Sequence, residues 1–251
     1  MYGRPNIYAY MKSYFNGLAS LGMKPLIILD TCAIIDLELA TRKQINFGYK
    51  RGNEFVHKLN SLLSNSNLVI PDKIMREIEN HKNCHISGTP EISEKTYDLL
   101  VASSKGIPED VKSYVKDANK TYETNFGEGI LKSSPSDLDS KLYLANWFLH
   151  SNKCNLSNKK FVLDIISTPD LDLIKIALTI ANFSAHKFKL NEKNGLHKLL
   201  KETYKIAILS SDAHIYKTLN ALSREPEFAH LKEYVNPINV RKYDLSCDTN
   251  E

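Results

Sequence analysis

Four carboxylates stand where they could do chemistry together. Asp30 closes the apolar run Leu26 to Leu29 in "KPLIILDTCAII", and Asp212 follows "YKIAILSS". Glu77 lies inside "DKIMREIENHK", just after "NLVIP", and Asp172 opens "DLIKIALTIA", with Asp170 shortly before it. A carboxylate at the end of an apolar run is costly to desolvate unless something binds it. Three partners are open to each: helix N–H groups, a cation side chain, or a metal ion. Asp before a helix is a favoured N-cap, which alone accounts for Asp172 and Asp212 and extends to Asp30. Glu77, taken alone, reads as a surface residue. The four as a set read differently. Carboxylates brought together repel and raise one another's pKa. A divalent cation removes that penalty, and oxygen-only ligands suit Mg²⁺ or Mn²⁺. Such an ion orients a water, lowers its pKa and stabilises charge on a phosphodiester.

The elements that must carry these acids alternate. "LIILD" is a continuous apolar run and predicts a short buried strand, and "TCAIIDLELATR" then takes up helical spacing. "EFVHKLNSLLSN" predicts an amphipathic helix with Phe55, Leu59, Leu62 and Leu63 on one face. "NLVI" predicts a strand ended by Pro71. The helix after it places Ile74 and Ile78 on a shared face, with Glu77 beside them. "TPDLDLIKIALTIANFSAHK" predicts a long helix with Leu173, Ile176, Ala177 and Ile180 at core spacing. "YKIAILS" is the clearest strand, "SDAHIYKTLNAL" starts another helix, and "EYVNPINV" supplies a late strand. Short apolar strands alternating with helices predict an α/β fold with a central parallel sheet covered on both faces. In open parallel sheets ligands gather at the carboxyl ends of the strands, where Asp30 and Asp212 fall.

Residues 83–160 break this rhythm. Their pattern is mostly helical and predicts an insertion, a cap or lid, interrupting a domain built from 23–82 and 161–251. Residues 1–22, "MYGRPNIYAYMKSYFNGLASLG", form an aromatic-rich lead-in that packs on the domain or meets a partner. They lack the clean apolar core of a signal peptide, so the expected location is cytoplasmic. The 251 residues suffice for one sizeable core with an insertion. No apolar stretch approaches a membrane span: the best, Leu26 to Leu39, is broken by Asp30, Asp36 and Glu38. The cysteines at 32, 84, 154 and 247 form no CxxC pair and read as free thiols. A formal net charge of +4 permits contact with nucleic acid without demanding it. His81, Cys84, His85, His150 and Cys154 offer a rival zinc set, but their spacing matches no established pattern.

Four segments together resemble the PIN-domain ribonucleases. "LIILDTCAIIDL" resembles the family's opening strand, whose aspartate is the first metal-site acid: Asp30 here, with Thr31 as the small hydroxyl residue common beside it. "LVIPDKIMREI" resembles the second segment and assigns Glu77; "DLIKIALTIA" resembles the third and assigns Asp172, with Asp170 as its substitute. "AILSSDAHI" resembles the fourth, a strand followed by Ser/Thr-x-Asp, and assigns Ser210 and Asp212. The similarity covers about 24–82 and 165–240. It implies a three-layer α/β fold and hydrolysis of RNA with Mg²⁺ or Mn²⁺ at Asp30, Glu77, Asp172 and Asp212, supported by Thr31, Ser210, Asp170 and His214. Many members are toxins, so an antitoxin, another protein or a second copy of the chain joins RNA among the implied partners. The chain departs from the pattern at Cys32, where asparagine is frequent, and at His214, where another acid often follows.

Phosphate contacts fall naturally to lysines: Lys153 and Lys160 near the end of the insertion, and Lys187 and Lys189 after the long helix. Tyr114, Tyr122, Tyr143 and Trp147 are candidates for stacking bases. Two other readings use the same residues: a catalytically inactive PIN-like interaction module, and a DNA-directed nuclease of the same fold.

Overall fold

The computed structural model describes residues 4–46, 57–58, 60–61, 67–86, 88–114, 171–193, 203–224 and 229–245. At its centre is a four-stranded, all-parallel sheet of β1 (Lys24–Leu29), β2 (Asn67–Val69), β5 (Tyr204–Ser210) and β6 (Val235–Asn239), in the order β2-β1-β5-β6. A separate two-stranded hairpin joins β3 (His85–Ile86) to β4 (Thr89–Pro90). The helices are α1 (Ile7–Ser20), α2 (Thr31–Asn46), α3 (Asp72–Asn83), α4 (Glu94–Ser103), α5 (Leu171–Lys193), α6 (Ala213–Leu222) and the short α7 (Leu231–Tyr234). The chain is a mixed α/β fold in which helices predominate. Among the described residues no helix is long and apolar enough to cross a membrane.

The strands form because their side chains are apolar on both faces. Leu26 to Leu29 and Ile206 to Leu209 are all fully buried, as a strand covered by helices on either side requires. β1 and β5 pair from Lys24 opposite Tyr204 to Leu29 opposite Leu209. The ladder continues one step further, where the Asp30 N–H donates to the Leu209 carbonyl at 3.0 Å. β6 carries Pro237 on the outer side of this sheet, which fits a residue with no N–H to give.

From β1 the chain passes through α2 to β2 on one side. It later enters β5 and β6 on the other. Right-handed crossovers then place α2 on one face and α5 and α6 on the opposite one. Leu173, Ile176, Ala177 and Ile180 are all buried, as their spacing predicts. Burial continues to Ser184, and residues 185–188 emerge from the core. The first half of α5 therefore runs along the sheet.

Helix α1 belongs to the same core: Ile7, Met11, Phe15 and Leu18 bury one stripe of it. Asn6 caps it by accepting N–H bonds from Tyr8 and Ala9. Gly22, at φ 74°, ends it: the Met23 N–H reaches back to the Leu18 carbonyl at 3.0 Å. The segment after α3 is also tied in. Ile92, Leu100 and Val111 join the core, and Lys105 N–H donates to the Leu68 carbonyl of β2 at 2.9 Å. Residues 115–170, which hold most of the expected insertion, lie outside the described residues. So does most of "EFVHKLNSLLSN".

Candidate functional site

Because all four strands run the same way, their carboxyl ends share one edge of the sheet. The topological switch lies between β1 and β5, the crevice where open α/β sheets place ligands. Asp30 leaves β1 there and Ser210, Ser211 and Asp212 leave β5 there.

Asp30 occupies the backbone position of a helix cap. Its carbonyl accepts the Ala33 and Ile34 N–H groups at 3.1 and 3.3 Å. Its side chain does not cap. Instead Oδ2 accepts the Ser210 hydroxyl at 2.6 Å and the Cys32 thiol at 2.8 Å. The residue is 5% exposed, and Oδ1 has no hydrogen-bond partner among the described residues. The capping explanation thus fails for Asp30, which turns across to β5.

Ser210 Oγ also accepts the Asp212 N–H at 2.8 Å, so one hydroxyl links the Asp30 carboxylate to the backbone of Asp212. Cys32 fills the space between the strand ends. Its sulfur accepts the Ser211 N–H at 3.2 Å and sits 3.5 Å from Ser210 Oγ. Burial, with the Asp30 charge beside it, pushes this thiol up to about 11, so it stays protonated and donates to Asp30.

Two participants are absent from the sequence-based assignment. Asp36, on α2, accepts the Ser211 hydroxyl at 2.6 Å and the Arg241 Nε at 2.6 Å, both on Oδ2. Arg241 lies just past β6, in a 3₁₀ turn over Val240–Lys242. The hydrogen bond and charge of Asp36 raise its pKa, with smaller contributions from Cys32 and Asp212. The sequence signal for Asp36 was faint: one of two acids, with Glu38, inside the apolar stretch "AIIDLEL". Arg241 has no local motif and is brought in by strand order alone.

The remaining assigned residues divide. Thr31 is buried, with an Oγ1 that has no hydrogen-bond partner among the described residues. Glu77 is exposed on α3, beside the buried Ile78. The backbone of Asp172 is in the first turn of α5. Ser184 lies near the amino end of β5, where its hydroxyl accepts the Tyr204 N–H at 2.9 Å. Asp172 is about 18 Å back along the helix from there, which carries it toward the carboxyl ends. The side chains of Asp172, His214 and Lys189 lie outside the described residues, as do Asp170, Lys153 and Lys160. Lys187 sits over the Phe183 ring at 5.7 Å, and Phe183 packs against Tyr204, the first residue of β5. That is the amino end of the strand, about 20 Å along β5 from Ser210. His81 pairs with Glu91, and Cys84 is exposed.

Among the described residues no three His, Cys, Asp or Glu side chains stand close enough to hold one ion. The donor set still fits Mg²⁺ or Mn²⁺. Mg²⁺ keeps several waters and is commonly bound through one or two carboxylates. Among the described residues Asp30 Oδ1 has no partner, the Asp212 backbone is linked to Asp30 through Ser210, and Thr31 Oγ1 is a buried oxygen without a partner. No family model, curated protein or solved structure matches the chain.

Proposed function

We propose that the chain is a divalent-metal-dependent ribonuclease with a PIN-like fold. One observation supports this reading: at the carboxyl edge of a parallel sheet, at its topological switch, one Ser210 hydroxyl links the Asp30 carboxylate to the backbone of Asp212, far apart in sequence. A sheet edge that gathers acids here is suited to a cation and an anionic substrate. Asp30 and Asp212 are the residues that would hold Mg²⁺ or Mn²⁺, with Asp172 and Glu77 as further candidates. The ion, when bound, supplies an activated water and neutralises charge on the phosphodiester. Ser210 orients Asp30 by donating to Oδ2 and fixes the turn that presents Asp212. Cys32, held protonated, donates to Asp30 Oδ2.

A second reading has its own support. Asp36 is already paired with Arg241, and no trio of ligands forms among the described residues. Both features suit a PIN-like module that binds without cutting.

Incubation of the purified chain with single-stranded RNA, duplex RNA and single-stranded DNA separates the readings. The expected result is cleavage of RNA with Mn²⁺, none with chelator, and none by the Asp30→Asn or Asp212→Asn variant. Cleavage persisting in both variants overturns the assignment. Inertness of the wild-type chain on every substrate favours the binding module, and cleavage confined to DNA makes the chain a DNA-directed nuclease.

A further inference from the structure

The Arg241 guanidinium is exposed, with 65% of its side-chain surface open, although Nε is tied to Asp36. Its two terminal nitrogens have no partner among the described residues. The turn beneath it is firmly set. Val240 is fully buried, Asn239 caps the turn by accepting the Arg241 N–H at 3.0 Å, and the Tyr243 N–H closes on the Val240 carbonyl.

Two further cations gather beside it. Asn6 and Asp244 form a parallel bridge, and this brings the chain's first described residues alongside the turn. Arg4 there donates from Nη1 to the Arg241 carbonyl at 2.9 Å. Lys242 lies over the ring of Tyr216, on α6 just past Asp212, at 4.8 Å. Arg4, Arg241 and Lys242 are all exposed. The carboxylates near them include Asp36, which Arg241 neutralises, Asp212, whose charge also reaches Arg241, and the exposed Asp244.

We infer that Arg241, Arg4 and Lys242 form the surface that grips the phosphate backbone of single-stranded RNA as it enters or leaves the acidic edge. The inference rests on the nuclease reading for the identity of the ligand. The chemistry is specific: Asp36 holds Nε, so the guanidinium presents its outer edge as a paired donor to a phosphate. The location is specific too, since Asp36 also holds the Ser211 hydroxyl next to Asp212. The phosphate contacts therefore lie on the β6 side of the carboxyl edge, whereas Lys187 lies at the opposite end of the strands.

The test is fluorescence anisotropy of a labelled single-stranded RNA against salt, with chelator present so that no cleavage intervenes. The Arg4→Ala/Lys242→Ala double variant is expected to bind about tenfold more weakly. Its log–log salt slope should be shallower by about 1.4, since each phosphate contact to a single strand contributes about 0.7. Arg241→Lys is expected to lose several-fold in affinity at nearly constant slope, because charge stays and the paired donors go. Lys187→Ala is expected to match wild type. Thermal midpoints should be equal throughout, as every substituted side chain is at least partly exposed. Unchanged affinity and slope in the double variant, or an equal loss in Lys187→Ala, overturns the inference, as does absence of binding. Binding that responds as described in a chain that never cuts sustains the surface and removes the nuclease reading. Cutting with no response in the double variant does the reverse.

Discussion

Replacing Ser210 by Ala probes the junction on which the site depends. The hydroxyl is buried and makes two bonds, donating to Asp30 Oδ2 at 2.6 Å and accepting the Asp212 N–H at 2.8 Å. A hydrogen bond to a charged group is worth about 1.5–3 kcal/mol, and an orphaned N–H costs about 1–3 kcal/mol more when dry. Asp212 is half-buried, so water recovers part of the second term, and Cys32 still donates to Asp30. The expected loss is about 2–4 kcal/mol. In urea, with a slope of about 2 kcal/mol/M, the unfolding midpoint should fall by about 1–2 M at unchanged slope. Ser211→Ala provides the comparison. Its hydroxyl also bonds a carboxylate, but Arg241 continues to hold Asp36 after the change, so the loss should stay near 1 kcal/mol. A midpoint shift below about 0.25 M for Ser210→Ala, or a larger loss for Ser211→Ala, would refute the bridging role.

Three other outcomes follow from the packing. Glu38→Ala should cost about 2–3 kcal/mol in chemical denaturation, because both buried carboxylate oxygens accept the Ser93 N–H at 2.9 and 3.0 Å at the start of α4; a neutral result would show that water replaces this contact. Met11→Ala should cost about 2–5 kcal/mol, since Met11 is fully buried; a loss under about 1 kcal/mol would mean that α1 is dispensable. Burial pushes Tyr14, Tyr234 and Tyr243 from 10.0 up to about 12. An acid whose folded pKa is raised stabilises the fold fully below its unfolded pKa and loses that contribution as pH rises through the folded value. Stability should therefore decline from about pH 10 to 12, and tyrosinate absorbance should show a late fraction near 12; a single transition near 10 in the folded protein would contradict this.

The parts of the fold legible in sequence were those with continuous or helical apolar spacing. Leu26 to Leu29 and Ile206 to Leu209 announce buried strands without tertiary information, and Leu173 to Ile180 announce a buried helix face. The β3–β4 hairpin was not readable, because each arm has only two residues and no room for alternation. For the lead-in, packing on the domain and meeting a partner were both open; Ile7, Met11, Phe15 and Leu18 of α1 form a core stripe, so it packs on the domain. The placement of Asp30, Ser210 and Asp212 at strand ends was legible because each follows or closes an apolar run. Asp36 and Arg241 were not, since only the β2-β1-β5-β6 order brings the end of β6 beside α2. Of the lysines named from sequence, Lys187 lies over the Phe183 ring at the amino end of β5, away from Asp30.

Calorimetric titration of the chain with Mn²⁺ tests the central claim most directly. The account predicts saturable binding that weakens at least tenfold in both Asp30→Asn and Asp212→Asn. Equal affinity in the wild-type chain and in both variants would contradict it.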